Sequence, residues 1–580
     1  MVEEVLAETE RFTQLWSGAE RYEILHLWSE KDTEEVVAAC DRGLEQWYTQ
    51  RDRTVEERTE VLAKLGALYE QVGAWKASER LQRERLGLLR ELGREESAGL
   101  QLGLLSNLSR LLGKFDEAEG LAREAEAIAR KYGDRQGVAS AVGARGTLHL
   151  YRGEYDEALE CFQVQEMIGQ ELGDRESIAA AVGNRGSVLA RRSNYNDALL
   201  CFREQEMIGR ALGDRRMIAY AVGNSGAVHI DLGEYDEALA CYREQETIGR
   251  ALGTRRIIAS AVGNRGIVHR LRGEYDEALA CYRERETICR EIGDERGVAA
   301  VVGNRGVVHM YRGEYDEALA CYREQERIGR ALGDPRSIAR ALGNRGNLLR
   351  ELGEYEEALA CYQERETISR ELGDRRSTAS AVGDRGLVHL FCKEYEKGLA
   401  CFQAALEEHR QIGFRGDLSH WLEGATQVLL NLIEGAESMP AYLPTYVPGA
   451  EETSWRKLSL KVARQQTEDS LAVSKELLNP DTLFSGRITL ARISAAEGNI
   501  NTGISTLQDM LKQTGSNEES AQLHYWLWRL GATDLDHRAE AITLYETLVK
   551  QLPLHEYRER IAELKSSTIQ KRPEVSDAEE

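Results

Sequence analysis

Small and apolar residues recur at helical spacing along most of the chain, and polar residues fill the positions between them. In one representative stretch Ala219, Val222 and Gly226 are three and four residues apart, which predicts one buried helix face. Gly213 precedes this stretch and Gly233 follows it, and glycine accepts the left-handed conformation that ends a helix. Each stretch of roughly 18 to 20 residues between such breaks is therefore predicted to be one helix.

The chain also repeats itself with a period of 40 residues. The block that starts at Ala221 is identical to the block that starts at Ala261 at 26 of 40 positions. An aromatic residue opens the second helix of each repeat: Trp75, Phe115, Tyr155, Tyr195, Tyr235, Tyr275, Tyr315, Tyr355 and Tyr395. These positions predict nine repeat units, each made of two antiparallel helices.

The residues at the fixed slots of a unit resemble the tetratricopeptide repeat. Gly226 and Ala238 occupy the small slots, and Tyr235 and Tyr242 the aromatic ones, although the period is 40 rather than the family's roughly 34. The segments LGDRR and GNRG resemble the repeats of kinesin light chains, of Pins-type spindle-orientation adaptors and of bacterial signalling arrays. The resemblance implies an all-α fold, a right-handed α-solenoid of antiparallel helix pairs with a peptide-binding inner groove.

The strength of the pattern predicts how the chain is divided. The nine units occupy residues 57–416, after a degenerate helical cap at residues 1–56 that carries Val36, Val37, Cys40, Leu44 and Trp47 at helical spacing. Residues 417–469 are predicted to hold an incomplete repeat whose second helix is missing, a loop and a helix, because Pro440, Pro444 and Pro448 forbid a helix there. Two looser hairpins at 470–565 and a disordered tail at 566–580 complete the prediction.

The charge balance narrows the range of partners. The 580 residues carry a net charge of -23, which argues against broad binding to nucleic acid or to anionic membranes. The N-terminal sequence MVEEVLAETE lacks the basic start of a secretory signal, and no 18 apolar residues run together. We therefore predict a cytoplasmic protein whose cysteines stay reduced.

Comparison of the units with one another locates a candidate binding surface on the first helices. Three variable slots lie along one ribbon at i, i+7 and i+11, and a nearly constant asparagine lies at i+4. The asparagines are Asn184, Asn224, Asn264, Asn304 and Asn344, with Asp384 in the sixth place, and the variable slots supply Tyr220, Ile267, Leu271, Val307, Tyr311, Arg340, Asn347 and Phe391. In the family this ribbon lines the groove, so the asparagines are predicted to hold a peptide backbone and the variable residues to choose its side chains.

Three other residue types recur every 40 residues and could suggest a metal-binding or catalytic site, but each is interpreted as structural. Cysteines recur from Cys161 to Cys401 without metal-ligand spacing, and histidines such as His229 share a slot with Leu189 and Leu349, so both sets are predicted to pack. The arginines that follow the asparagines, such as Arg265, are predicted to pair with acids of the next helix.

The predicted function is a non-enzymatic adaptor or regulatory subunit that binds an extended segment of a protein partner, without cofactor or metal, in a hetero-complex. No P-loop, HExxH, GxSxG or EF-hand motif occurs. Two alternatives stay open. A ligand-sensing regulator would use the cluster of Arg340, Arg345 and Arg350. A partner, substrate or inhibitor of a caspase-like protease in bacterial signalling or defence, suggested by family association, would use the loop near residue 445 for docking or cleavage.

Overall fold

The computed structural model describes residues 41, 44, 54–71, 75–412, 417–436, 438–476, 480–533 and 535–566. Within these ranges it contains 26 helices and no strand, so the all-α prediction is confirmed. The chain divides into two compact bodies. The N-terminal body comprises Met1–Val308 and Cys321–Ile338, and the C-terminal body comprises His309–Ala320 and Ala339–Glu580.

The helices follow one another along the chain with short connections. The repeat region contains α1 (Val55–Gln71), α2 (Trp75–Glu91), α3 (Glu95–Leu111), α4 (Phe115–Tyr132), α5 (Arg135–Arg152), α6 (Tyr155–Leu172), α7 (Arg175–Arg191), α8 (Tyr195–Leu212), α9 (Arg215–Asp231), α10 (Tyr235–Ala251), α11 (Arg255–Leu271), α12 (Tyr275–Glu291), α13 (Glu295–Tyr311), α14 (Tyr315–Leu332), α15 (Pro335–Leu352), α16 (Tyr355–Glu371), α17 (Arg375–Phe391) and α18 (Tyr395–Ile412). The C-terminal segment contains α19 (Leu418–Gly435), α20 (Leu443–Tyr446), α21 (Trp455–Glu476), α22 (Pro480–Ala496), α23 (Ile500–Leu511), α24 (Asn517–Leu530), α25 (His537–Gln551) and α26 (His555–Lys565).

The connections between helices use the chemistry that the sequence predicts. Gly213 has φ 68° and ends α8 in the left-handed conformation. The Asp214 side chain then accepts hydrogen bonds from the backbone N–H groups of Arg216 (2.8 Å) and Met217 (3.1 Å), which begins α9. Two units lack the glycine at the other break, and there Ser193 (φ 63°) and Lys393 (φ 59°) adopt the same conformation against their preference.

In the N-terminal body, helices α1 to α12 pack as six consecutive antiparallel pairs. The first helices α3, α5, α7, α9 and α11 also approach one another in sequence. Neighbouring second helices reach each other through long side chains instead, as the ion pairs Arg210–Glu244 and Arg250–Glu284 (both 3.3 Å) illustrate. The backbones of the first helices are therefore closer together than those of the second helices.

The C-terminal body corrects the prediction of an unpaired helix after the ninth unit. Helix α21 packs against α19, with Leu460 and Ala463 buried in the same cluster as Trp421 and Leu429. The second helix is thus present, but it is separated from α19 by a long connection. The Pro-rich connection is also not free of helix, because Pro444 lies in the first turn of α20, where a missing N–H is tolerated.

The apolar side chains of this connection are buried rather than exposed to solvent. Leu443 and Val447 are fully buried in the cluster formed by α18, α19 and α21. The predicted cap residues Val36, Val37, Cys40 and Trp47 lie outside the described residues, as does the tail after Ser566.

Candidate peptide-binding surface

In the N-terminal body, the asparagine row consists of Asn184, Asn224, Asn264 and Asn304, one on each of α7, α9, α11 and α13. Asn224 is exposed and the other three are half-buried. Within the described part of the chain, none of these four side-chain amides takes part in a hydrogen bond. Each therefore keeps both a donor and an acceptor available.

The variable residues beside this row differ in how far they reach solvent. Tyr220 is 57% exposed and Leu271 is 37% exposed, which is unusual for large apolar side chains in a packed repeat. Ile267 and Val307 are half-buried. Ile267 packs against the core cluster that includes Tyr282, so part of its side chain is committed to holding neighbouring helices together.

In the C-terminal body, the predicted site residues fall into two groups. Arg340 and Tyr311 are exposed, and Asn344 is half-buried. Phe391 is 39% exposed as well, whereas Asn347 is engaged within the fold. Asn347 accepts a hydrogen bond from the Tyr362 hydroxyl (2.7 Å), and Phe391 stacks on Tyr355 with ring centroids 6.1 Å apart.

Asp384, which takes the asparagine slot in its unit, is paired rather than available. Its carboxylate accepts from the Arg365 guanidinium at 2.8 Å, and both side chains are mostly buried. Burial raises the pKa of the Asp384 carboxyl, and the nearby guanidinium groups of Arg365 and Arg350 oppose that shift. In this unit, the neutral amide of the other units is replaced by a carboxylate that forms a buried ion pair with Arg365.

The arginine ladder pairs with acids, but with those of the preceding helix rather than the next one. Arg265 donates to Glu246 (2.6 Å) and Arg305 to Glu286 (2.8 Å), each on the second helix of the unit before. Three more pairs of this kind join Arg145 to Glu126, Arg185 to Glu166 and Arg385 to Glu366. The prediction was wrong about direction because sequence spacing does not show which neighbouring helix an arginine faces.

Glu246 and Glu286 are each held by two arginines. Burial would raise the pKa of Glu246, but the guanidinium groups of Arg250 and Arg265 outweigh it and lower the pKa. Glu286 is held in the same way by Arg290 and Arg305, and its pKa is also lowered. These ion pairs cross between units and fix the helix that carries the adjacent asparagine.

The histidine ladder serves the turn between the two helices of a unit. His229 Nδ1 lies 2.6 Å from Glu234 Oε2, across the glycine that separates α9 from α10. The same contact recurs at His149, His269, His309 and His389, each with the glutamate five residues later.

The cysteine ladder is packed inside the helix pairs. Cys161, Cys201, Cys281, Cys361 and Cys401 are buried, and Cys241 and Cys321 are half-buried. Burial raises the pKa of the Cys241 thiol to about 11. A thiol with so high a pKa carries little thiolate at neutral pH, which fits a packing residue and not a nucleophile.

Sequence reasoning missed a row of glutamines beneath the asparagines. A Cβ added at Gly183 would come within 2.3 Å of Gln205 Nε2, and one at Gly223 would come equally close to Gln245 Nε2. The glycine before each asparagine is therefore needed for this close approach. Comparison of the units with one another could have found this row, because the same position of each second helix holds a glutamine or an arginine: Gln165, Gln205, Gln245, Arg285, Gln325 and Arg365.

The tetratricopeptide repeat family model matches residues 96–164, 217–291 and 297–371. The chain contains tetratricopeptide repeats. These matches fall on helix pairs of the 40-residue array, and they confirm the resemblance inferred from the fixed small and aromatic slots. The asparagine row lies on the first helices of the repeat units.

Solved structures with a similar arrangement are distant in sequence. A Rap protein complexed with competence and sporulation factor is 14% identical, with a TM-score of 0.42 over 67% of this chain and 99% of that one. The apo form of RapI is 16% identical, with a TM-score of 0.42 over 65% and 99%. BtubC (BKLC) from P. vanneervenii is 13% identical, with a TM-score of 0.34 over 42% and 92%. None of the curated proteins compared matches the sequence.

Among the described residues, none of the helices combines the length and the apolar run that a membrane span requires.

Proposed function

We propose that this tetratricopeptide-repeat protein is a non-enzymatic scaffold or regulatory subunit that binds an extended segment of a protein partner along its first helices. The observation that carries the proposal is the row formed by Asn184, Asn224, Asn264 and Asn304, whose amides are half-buried to exposed and unengaged among the described residues. Buried polar side chains normally find partners within the chain, whereas half-buried and exposed ones are left to water or to a ligand. A regular row of unengaged amides supports recognition of a main chain.

The spacing of the row suits an extended peptide. Packed helices lie about 8 to 10 Å apart, and an extended chain advances about 3.3 Å per residue. One asparagine then meets about every third residue of the peptide, and the four asparagines span about ten residues. Each amide can donate to a backbone carbonyl and accept from a backbone N–H, independently of the peptide's sequence. The close approach of the first helices supports placing this surface on the inner side of the array.

Selectivity in this proposal comes from the variable residues that reach solvent. Tyr220 and Leu271 present large apolar surfaces beside the asparagine row of the N-terminal body, and Tyr311 is 49% exposed in the C-terminal body. Exposed aromatic residues are typical anchors for a partner's side chains. The net charge of -23 favours a partner segment that carries basic residues.

The two alternative functions have less support. Of the three arginines in the proposed ligand cluster, Arg350 donates to Glu351 (2.7 Å) and Arg345 lies 3.2 Å from Cys361 Sγ, which leaves Arg340 as the exposed one. The loop near residue 445 holds Leu443 and Val447 in the core, so a protease or docking partner would have to displace packed side chains.

The proposal is tested with the variant Asn224→Ala/Asn264→Ala/Asn304→Ala and a displayed library of peptides about 12 residues long. Each lost hydrogen bond costs about 0.5 to 1.5 kcal/mol, so the affinity for peptides selected on the wild type should fall by at least about tenfold. Melting temperature should stay close to that of the wild type, because these amides stabilise nothing within the described fold. The matched control is Thr247→Ala/Thr287→Ala/Thr367→Ala, which removes exposed polar groups at one slot of three second helices. Unchanged affinity, or an equal loss in the control, would refute the proposed surface.

A further inference from the structure

Two edges of the N-terminal body that are far apart in sequence touch each other. The aromatic rim consists of Trp75 and Lys76, which begin α2, together with Leu111, Phe115 and Tyr151. The arginine edge consists of Arg296, Gly333, Asp334 and Arg336, at the beginnings of α13 and α15 and in the turn between α14 and α15. Trp75 and Arg296 are 221 residues apart, and so are Phe115 and Arg336. This separation corresponds to five and a half repeats of 40 residues.

Two arginines of the edge rest on aromatic rings of the rim. The Arg296 guanidinium lies 5.4 Å from the Trp75 ring centroid and donates to the Leu111 carbonyl oxygen at 3.1 Å. The Arg336 guanidinium lies 4.2 Å from the Tyr151 ring centroid and 4.9 Å from that of Phe115. These are cation–π distances.

The contacts fit closely on both sides. The rings of Phe115 and Tyr151 are stacked, with centroids 6.4 Å apart, so they form one platform for Arg336. On the opposite edge, Asp334 Oδ2 lies 3.4 Å from Arg296 Nε and also accepts from the Ser337 hydroxyl at 2.9 Å, which steadies the arginine. The Lys76 ammonium lies against Gly333, where an added Cβ would come within 2.9 Å of Nζ.

The repeat pattern provides an internal comparison. In the N-terminal body, arginine occupies the second position of the first helix at Arg216, Arg256, Arg296 and Arg336. Arg216 and Arg256 are exposed, whereas Arg296 and Arg336 are half-buried. The two half-buried arginines of this slot are the two that rest on aromatic rings of the rim.

We propose that these contacts form a releasable clasp that closes one turn of the N-terminal body and sets the pitch of its repeats. A repeat array is held together mainly by contacts between neighbouring units, so the clasp adds a contact that the helix pairs do not need for their own folding. Opening the clasp lengthens the body while every helix remains intact. The clasp gives the array two states, closed and extended, that differ at its edges and not in its secondary structure.

The test uses the full-length variant Arg296→Ala/Arg336→Ala, with Arg216→Ala/Arg256→Ala as the matched control. Small-angle X-ray scattering should show a larger radius of gyration and a larger maximum dimension for the first variant and wild-type values for the control. Far-UV circular dichroism should be unchanged in both. The variant Arg336→Lys should remain compact, because an ammonium group also binds an aromatic face, whereas Arg336→Glu should expand, because it places a carboxylate over the negative face of the rings.

Three results would overturn the clasp. An unchanged radius of gyration in Arg296→Ala/Arg336→Ala would mean that other contacts set the pitch. Equal expansion of the control would mean that the effect does not depend on the aromatic rim. Loss of helical signal together with expansion would mean that these arginines stabilise the helix pairs themselves and that no intact extended state exists.

Discussion

Some glycines of the array lie against the partner helix of their pair, and others face solvent. The same glycine-to-alanine substitution, made at one site of each kind, tests whether helix packing depends on the first kind alone. A methyl group at Gly186 would come within 2.8 Å of Phe202 Cε1 and 3.0 Å of Cys201 Cβ. Cys201 Cβ is fixed to the backbone of α8, so the two helices must separate to admit it. A methyl group at Gly120, which is exposed on α4, meets no atom within 4 Å.

The expected effects have opposite signs. Overpacking costs about 1 to 3 kcal/mol, and replacing glycine by alanine within a helix recovers up to about 1 kcal/mol. Gly186→Ala should therefore destabilise its helix pair by about 1 kcal/mol on balance. Gly120→Ala has no contact to strain and should stabilise its own helix by up to about 1 kcal/mol.

Hydrogen exchange is the appropriate assay, because a repeat array opens locally and does not unfold as one cooperative unit. A change of about 1 kcal/mol alters a local opening equilibrium by about fivefold. Amides of α7 and α8 should exchange about fivefold faster in Gly186→Ala, and amides of α4 should exchange more slowly in Gly120→Ala. The reasoning fails if the two substitutions shift protection in the same direction, because the contact at Phe202 would then not decide the outcome.

Two further predictions concern strained turns and a titrating carboxyl. Ser193→Gly and Lys393→Gly should each raise stability by about 1 kcal/mol, since both residues hold a left-handed conformation that glycine adopts freely, and a fall in melting temperature in differential scanning calorimetry would contradict this. Burial raises the pKa of Glu423 to about 7, against the opposing effects of the Ser485 hydroxyl (2.8 Å) and Arg492, so its contribution to stability is full below about pH 4.3 and is lost as pH rises through 7. Glu423→Gln should therefore raise the melting temperature at pH 8 but not at pH 4, and an equal pH dependence in the exposed control Glu357→Gln would contradict the assignment.

The sequence by itself determined the elements and the faces of the array. Helix ends are local: a glycine such as Gly213 and a capping aspartate such as Asp214 specify a break using only the residues beside it. The 40-residue period places Asn184, Asn224, Asn264 and Asn304 at one position of successive first helices, because units with the same pattern of small and aromatic residues fold alike. Period and helical spacing were therefore enough to predict paired helices, and the resemblance to the tetratricopeptide repeat supplied the solenoid fold and pointed to the row of asparagines.

The tertiary structure decided which side chains are available and which distant segments meet. Asn347 belongs to the same predicted ribbon as the asparagine row, but its side-chain oxygen already accepts a hydrogen bond from the Tyr362 hydroxyl. Arg265 faces the preceding helix, and α21 pairs with α19 across a long loop. Arg336 reaches Tyr151 across the N-terminal body. The first three outcomes depend on which side chains face each other across neighbouring helices. The last depends on the curvature of the array, which sums small angles over many units, and no local sequence pattern records that sum.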